Sequence, residues 1–255
     1  MMKNWNDTKE EENCLKELEN LHSHNNIRDQ QMESKLAAFN SLLLKWYFDK
    51  DKRSFPWRKS KDPYQVLIAE IMLQRTKAEQ VVPVFLSFIE RFPSPKELSK
   101  AKKSEIESYF AKLGLMWRAL KVKLLSEKLV KDFNGMVPRE RSQLMSLPGV
   151  GDYVADAVLC FAFDEDVAII DSNVCRVIGR AFGLEPKSEA RKDPLYREIA
   201  KRLAPSGKCR EYNWAIIDHA ATICTPKNPK CGICPLNIIC NYYVSVILKH
   251  NASAY

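Results

Sequence analysis

The sequence predicts an all-α fold. After residue 31, apolar residues recur at spacings of three and four, as on one face of a helix; the first such stretch is Met32, Leu36, Phe39, Leu43 and Trp46. Breaks containing glycine, proline or Asp-Pro separate these stretches, and no segment shows the sustained apolar–polar alternation of a half-buried strand. We therefore expect about ten helices and no sheet.

Start and stop signals locate several of these helices. Asp62-Pro63 and Asp193-Pro194 each combine a capping carboxylate with a proline suited to the first helical turn. Gly114 and Asn134-Gly135 are typical of left-handed caps that end a helix. Residues 1–30 are polar and have weak apolar periodicity, so we expect them to form an N-terminal tail.

The composition favours a polyanionic partner without requiring one. Lys and Arg total 40 against 32 acidic residues, which gives a formal charge of +8 and a pI near 9.0. A positive excess suits DNA, although basic proteins that never bind nucleic acid also exist. No apolar run reaches the roughly 18 residues of a membrane span, and the first residues contain no export signal. We expect a cytoplasmic protein that does not contact membranes.

Four cysteines near the C-terminus form a C-x6-C-x2-C-x5-C pattern: Cys224, Cys231, Cys234 and Cys240. Four thiolates in one short segment suit either an iron–sulfur cluster or a structural zinc ion. Zinc ribbons usually contain two short gaps rather than one, and disulfides are disfavoured in a reducing cytoplasm. The order of the gaps resembles the [4Fe–4S] loop of the endonuclease III and MutY DNA glycosylases, which implies a [4Fe–4S] cluster and DNA binding.

The segment Leu147-Pro148-Gly149-Val150-Gly151 lies between two helical patterns, at 139–146 and 152–163. Two glycines in a short hairpin leave backbone N–H groups free at the start of the second helix, where a phosphate can bind without any sequence being read. Gly-x-Gly also occurs in ordinary turns. Its position between two helices resembles a helix–hairpin–helix motif.

Two acidic residues are candidates for chemistry. Asp171 follows the apolar run 167–170 and begins a helix, where capping is the usual role of an aspartate. The helix dipole at such a position also favours a fixed anion, which can stabilise positive charge on a sugar. Glu70 is the only charged residue between Pro63 and Gln74, so burial would raise its pKa towards that of a general acid. The alternative is a glutamate on the exposed side of its helix.

Together these motifs resemble the helix–hairpin–helix DNA glycosylases of the endonuclease III/MutY superfamily. The resemblance extends from about residue 31 to Cys240. Besides the hairpin and the four cysteines, it rests on four further segments: Pro56-Trp57-Arg58, Asp62-Pro63-Tyr64, Ala69–Thr76 and Asp171–Val177. It implies two helical lobes. A six-helix lobe would cover 58–164, a second lobe would combine 31–57 with 165–223, the cluster loop would cover 224–240, and a C-terminal tail would cover 241–255.

The resemblance also implies the roles of individual residues. The aspartate that follows the hairpin is the catalytic carboxylate of the superfamily, and this position is Asp171. The glutamate of the MutY motif Glu-x-Met-Leu-Gln-Gln-Thr corresponds to Glu70, and Tyr153 would shape the pocket. An extruded nucleotide would reach these groups in the cleft between the lobes. The DNA-binding residues would be Gln74, Arg75, Gly149, Val150 and Gly151.

Departures from the family pattern narrow the expected activity. Endonuclease III-type enzymes carry a Schiff-base lysine two residues after the last glycine of the hairpin, where this chain has Tyr153. Because Tyr153 has no amine for the usual β-elimination through an iminium, the resemblance implies a monofunctional glycosylase. MutY-type enzymes have a second glutamine at the position of Arg75. They also continue into a C-terminal recognition domain, whereas this sequence ends at Tyr255. These features look most like the archaeal glycosylases that remove thymine or uracil opposite guanine.

Two alternatives stay open. Glu70 and Met72-Leu73-Gln74 match MutY-type enzymes, so adenine removal opposite guanine or 8-oxoguanine is the second hypothesis. The third is a DNA-binding protein that senses distortion without chemistry, against which the presence of both Glu70 and Asp171 argues. In each case we expect a monomer, and for the preferred activity its partner is double-stranded DNA that contains a mismatched or deaminated base.

Overall fold

The computed structural model describes residues 29–49, 53–114 and 116–248, and these residues form helices, turns and loops without a strand. The predicted all-α fold is confirmed. The predicted N-terminal tail, 1–30, lies outside the described residues except for its last two positions. The predicted C-terminal tail, 241–255, is described as far as residue 248.

Twelve α-helices follow one another in the described ranges. Their bounds are α1 (29–49), α2 (Pro56–Lys59), α3 (Pro63–Leu73), α4 (Ala78–Arg91), α5 (Pro95–Lys100), α6 (Lys103–Ala111), α7 (Trp117–Phe133), α8 (Arg141–Met145), α9 (Asp152–Phe163), α10 (Ser172–Phe182), α11 (Pro194–Leu203) and α12 (Cys209–Thr222). Single 3₁₀ turns occur at Ala190–Lys192, Cys231–Ile233 and Asn237–Ile239, and a π-helical segment covers Tyr243–Leu248.

The helix ends follow the local signals in the sequence. The Asp62 carboxylate accepts a hydrogen bond from the N–H of Tyr64 at 2.9 Å, and the Asp193 carboxylate accepts one from the N–H of Leu195 at 2.9 Å. Both contacts satisfy amide groups in a first helical turn. Asn134 ends α7 with a left-handed backbone, at a φ of 53°.

Buried apolar residues form two cores, which confirms the two-lobed architecture. The first core is built mainly from α3 to α9, and the second from α1, α10, α11 and α12. Phe55 and Trp57 stack with ring centroids 5.0 Å apart and belong to the first core, although the sequence boundary assigned them to the second lobe. Trp57 also packs edge-on against Phe85 of α4, which explains this placement.

Polar contacts at Arg58 and Asn213 join elements of the two lobes. The Arg58 guanidinium on α2 donates to both carboxylate oxygens of Asp218 on α12, at 2.7 and 2.8 Å. The fully buried Asn213 on α12 holds the segment between α9 and α10: its Oδ1 accepts from the N–H of Ile169 at 3.1 Å and its Nδ2 donates to the carbonyl of Val167 at 2.8 Å. None of the described helices combines the length and apolarity needed to cross a membrane.

Candidate active site in the cleft between the lobes

A cleft of about 1210 Å³ opens beside the N-terminal ends of α9 and α10. Five of the residues singled out in the sequence line it, and they come from three separate segments of the chain: Gln74, Arg75, Gly151, Tyr153 and Asp171. The fold therefore brings together groups that are about 100 residues apart in sequence. Glu70 lies behind the wall of this cleft, next to Tyr153.

Asp171 occupies the N-cap position of α10 with an extended backbone. Its Oδ1 accepts hydrogen bonds from the N–H groups of Asn173 and Val174, at 2.8 and 2.7 Å, and its Oδ2 accepts from the Asn173 side chain at 2.9 Å. Three donors hold the carboxylate in one orientation at the positive end of the helix dipole. The residue caps the helix and also faces the cleft, so the two roles considered from the sequence are compatible.

The segment that leads to Asp171 is itself held in place. Besides the two Asn213 contacts, the Cys209 thiol donates to the carbonyl of Val167 at 3.0 Å. Buried hydrogen bonds of this kind fix a backbone that has no regular ladder of its own. Sequence reasoning missed Asn213; a lone amide within the otherwise apolar face of α12 was the available signal.

Glu70, which is buried, and Tyr153, which is partly exposed at the cleft, form a pair where α3 packs against α9. Glu70 is only 4% exposed, and the Tyr153 hydroxyl donates a hydrogen bond towards its carboxylate. Burial raises the pKa of Glu70 to about 7, while the hydrogen bond from Tyr153 and the positive charge of Arg58 act in the opposite direction. At neutral pH the Glu70 carboxyl group is therefore divided between its protonated and ionised forms.

Tyr153 stays a neutral hydroxyl. Burial, and then the neighbouring Glu70 and Asp171 carboxylates, raise the pKa of Tyr153 well above its usual range. Its phenol can donate one hydrogen bond but offers no amine with which to form an imine. The side chain lies two residues after the last glycine of the hairpin, where endonuclease III-type enzymes carry their lysine.

The ion pair between Arg58 and Asp218 lies close enough to affect the acid–base groups of the site. Asp218 is 3% exposed, and the Arg58 charge lowers the pKa values of both Glu70 and Tyr153 relative to burial alone. A second arginine, Arg53, approaches Asp218 at 3.3 Å. From the sequence, Arg58 was expected to belong to the Pro56-Trp57-Arg58 motif, but no role followed for it. No pattern in the sequence indicated Asp218.

The hairpin between α8 and α9 presents two free backbone donors. Gly149 has a φ of 88°, and no carbonyl in the described part of the chain accepts a hydrogen bond from the N–H of Gly149 or Gly151. Val150 differs, since its N–H donates to the carbonyl of Leu147 at 3.1 Å and its side chain is buried in the first core. Any contact of Val150 with DNA would therefore not use its amide. Gln74 reaches the hairpin through a 3.4 Å hydrogen bond from its Nε2 to the carbonyl of Gly149.

The four C-terminal cysteines line one small pocket beside α10 and α12. They are free thiols, and the other walls of the pocket include apolar side chains of Val177, Ala181, Ile223 and Leu236. In the described ranges, no three His, Cys, Asp or Glu side chains lie in an arrangement that would hold a single metal ion. Four thiols around one pocket are a ligand set that suits an iron–sulfur cluster.

Two arginines of α10 connect this pocket with the cleft. Arg176 donates to the carbonyl of Cys224 at 2.9 Å and to the side-chain oxygen of Asn173 at 2.9 Å. Arg180, one turn later, donates to the carbonyls of Thr225 and Pro226 at 2.8 and 3.0 Å. The helix that begins at Asp171 is thereby attached to the cysteine loop.

Comparison with known protein families identifies the class of protein. Residues 68–205 match the HhH-GPD superfamily of base excision DNA repair proteins, and residues 224–240 match the iron–sulfur binding domain of endonuclease III. The chain belongs to the HhH-GPD superfamily. The predicted resemblance to helix–hairpin–helix glycosylases of the endonuclease III/MutY superfamily is confirmed.

Individual relatives give a finer comparison. The thymine/uracil-DNA glycosylase of Pyrobaculum aerophilum is 41% identical over 214 residues, which cover 81% of this chain and 92% of the relative. A solved structure of a thermostable thymine-DNA glycosylase aligns with a TM-score of 0.76 and 38% identity, and the alignment covers 83% of this chain and 97% of that one. The adenine DNA glycosylase of Buchnera aphidicola subsp. Baizongia pistaciae is 34% identical over 82% of this chain but only 59% of its own length.

Proposed function

We propose that this protein is a monofunctional DNA glycosylase that removes thymine or uracil mispaired with guanine in duplex DNA. The observation that carries the proposal is the arrangement of Asp171 and Tyr153 on the wall of one cleft, with Glu70 buried behind Tyr153. The substrate is supported by the similarity to thymine/uracil-DNA glycosylases over nearly their whole length. A mispaired nucleotide leaves the base stack at lower cost than a paired one, which favours its extrusion into the cleft.

The groups of the site fit hydrolysis of the N-glycosidic bond. As the bond breaks, its electron pair moves to the departing base and positive charge develops on the sugar, which the fixed Asp171 carboxylate stabilises. Protonated Glu70 supplies a proton to the base, directly or through one water. Water then attacks C1′, and the proton that it releases restores the protonated form of Glu70, so that the products are the free base and an abasic site. Tyr153 orients the Glu70 carboxyl group.

The cysteine pocket would hold a [4Fe–4S] cluster on Cys224, Cys231, Cys234 and Cys240. Bound there, the cluster would crosslink the C-terminal loop to α10 and α12, and the glycosylase reaction itself would use only protein side chains and water. Loaded protein is expected to be brown and to contain iron and acid-labile sulfide. A colourless, active preparation with stoichiometric zinc would contradict the cluster.

DNA would lie across the hairpin and the mouth of the cleft. The free N–H groups of Gly149 and Gly151 suit backbone phosphates, and Gln74 and Arg75 at the cleft wall are positioned to occupy the space left by the extruded nucleotide. One chain supplies all of these groups, which supports action as a monomer. Such a duplex substrate would place the protein at the nucleoid in the cytoplasm.

A panel of defined duplexes tests the substrate. Each duplex carries a single G·T, G·U, A·G or A·8-oxoguanine pair, and alkali converts every abasic site into a strand break. We expect scission at thymine and uracil opposite guanine. Scission only at adenine would overturn the proposal in favour of an adenine glycosylase, and binding without scission in any duplex would favour a non-catalytic sensor of distortion.

The lack of a lysine at the position of Tyr153 supports the absence of lyase activity. A lyase forms an imine between an amine and C1′ of the sugar, and borohydride reduces that imine to a stable adduct. Treatment with borohydride during turnover is therefore expected to leave protein and DNA separate. A stoichiometric covalent adduct would show that another amine of the chain acts as the nucleophile.

A further inference from the structure

His219, in the last turn of α12, contacts the cysteine pocket. Its side chain is 1% exposed, and its Nε2 lies 3.2 Å from the sulfur of Cys234. A thiolate that ligates iron carries no proton and can only accept a hydrogen bond. In a loaded pocket, the proton between these two atoms must therefore belong to Nε2 of His219.

The surroundings of the other ring nitrogen support the same assignment. Nδ1 of His219 has no hydrogen-bond partner within the described residues, and the ring packs edge-on against Trp46 of α1, with centroids 5.6 Å apart. A buried N–H without an acceptor costs more than a buried lone pair in a weakly polar position. The proton is therefore better placed on Nε2, facing Cys234, than on Nδ1.

The sulfurs of the pocket receive different donors. Backbone N–H groups donate to Cys240, from Tyr242 and Tyr243, and to Cys234, from Leu236, whereas the Cys224 sulfur receives a side-chain contact of 3.4 Å from Arg180. Among the described residues, His219 makes the shortest side-chain contact to a sulfur of the four-cysteine pocket. The His219 ring is buried between α12 and α1, where its contact with Trp46 fixes its position.

We propose that His219 is a positioning residue for the cluster, whose Nε2–H donates to the Cys234 sulfur and raises the reduction potential of the cluster. The proposal rests on the [4Fe–4S] cluster proposed above. An N–H···S hydrogen bond withdraws electron density from the thiolate and stabilises the reduced cluster, which carries one more negative charge. In the one-electron couple the electron enters the cluster from an external donor, and the proton stays on Nε2.

The test compares midpoint potentials of the full-length loaded protein by voltammetry. His219→Leu removes the donor and is expected to lower the potential, whereas His219→Gln keeps an N–H donor and is expected to lie between the Leu variant and the wild type. Trp46→Phe preserves the aromatic contact with the ring and should leave the potential unchanged. If His219→Leu does not retain iron, His219→Asn, whose amide is too short to reach Cys234, takes its place.

The possible failures are distinguishable. A wild-type potential in His219→Leu or His219→Asn at full iron content would overturn the role of His219 while leaving the cluster intact. A drop in Trp46→Phe as large as that in His219→Leu would also overturn it, because the potential would then follow packing rather than the hydrogen bond. Wild-type protein without iron and sulfide would instead overturn the proposed cluster itself.

Discussion

Arg176 donates a hydrogen bond from its guanidinium group to the side-chain oxygen of Asn173 at 2.9 Å, and the same Asn173 side chain donates to Oδ2 of Asp171 at 2.9 Å. A second nitrogen of Arg176 donates to the carbonyl of Cys224 at 2.9 Å. The first turn of α10 therefore contains a continuous chain of hydrogen bonds between the cysteine loop and the proposed catalytic carboxylate. Each contact restricts the orientation of the next group.

Arg176→Met is expected to lower the rate of base release by about 10- to 100-fold, because a small displacement of a catalytic group has an effect of this size. DNA affinity should change little, since the Arg176 nitrogens are committed to protein acceptors. Single-turnover kinetics measure the chemical step, and a fluorescence titration measures the affinity. Arg180→Met is the matched control, because Arg180 also reaches the cysteine loop but does not contact Asn173. Equal losses in both variants would mean that the loop, not the chain to Asp171, is responsible.

Asp171→Asn is expected to reduce base release by at least about 10²- to 10³-fold, the typical effect of removing a preorganised charge from a transition state. Asparagine keeps the shape of the side chain and part of the capping ability, so DNA binding and folding should be nearly unchanged. Asp193→Asn provides the comparison, since Asp193 caps α11 in a similar way but lies outside the proposed chemistry. Full activity in Asp171→Asn would remove this residue from the mechanism.

Local signals predicted the helix starts and the cysteine loop because caps, prolines and ligand spacing act within a few residues. The sequence left Glu70 either buried or on the exposed side of α3, and the packing of other elements around nearly every side of that helix buries it. The roles of Asn213 and Asp218 depend on partners more than 40 and 150 residues away. Such contacts follow from lobe packing, which a single sequence does not encode in any local pattern.

The activity should depend on the protonation of Glu70. Its pKa of about 7 means that the proton-donating form is lost as the pH rises through 7, so the single-turnover rate should fall above that pH. Glu70→Gln should be at least about tenfold slower and should lack this dependence. Because the pKa in the folded protein lies above the ordinary value of 4.5, folding stability should also decline as the pH rises from about 4.5 to beyond 7. A wild-type rate and pH profile in Glu70→Gln would exclude its role as a proton donor.

The two hairpin glycines should respond differently to alanine. Gly149 has a φ of 88°, and a Cβ added to it would lie 3.4 Å from the Cβ of Lys121. Gly151 has an extended backbone, and a Cβ added to it would meet no atom within 4 Å. A left-handed conformation costs an ordinary residue about 1–2 kcal/mol, so Gly149→Ala should distort the hairpin and weaken duplex binding by about tenfold. Gly151→Ala keeps its N–H donor and should bind DNA nearly as well as the wild type.

The salt dependence of binding separates this backbone effect from the effect of charge. Backbone N–H groups are neutral, so Gly149→Ala should weaken binding at every salt concentration without changing the slope of log Kd against log salt. Lys121 is an exposed cation beside Gly149, and Lys121→Met should reduce that slope by about one if it neutralises one phosphate. An affinity that is flat across a tenfold range of salt in the wild type would contradict phosphate-dominated binding. A slope in Gly149→Ala reduced as much as in Lys121→Met would show that the hairpin acts by positioning the lysine rather than through its own amides.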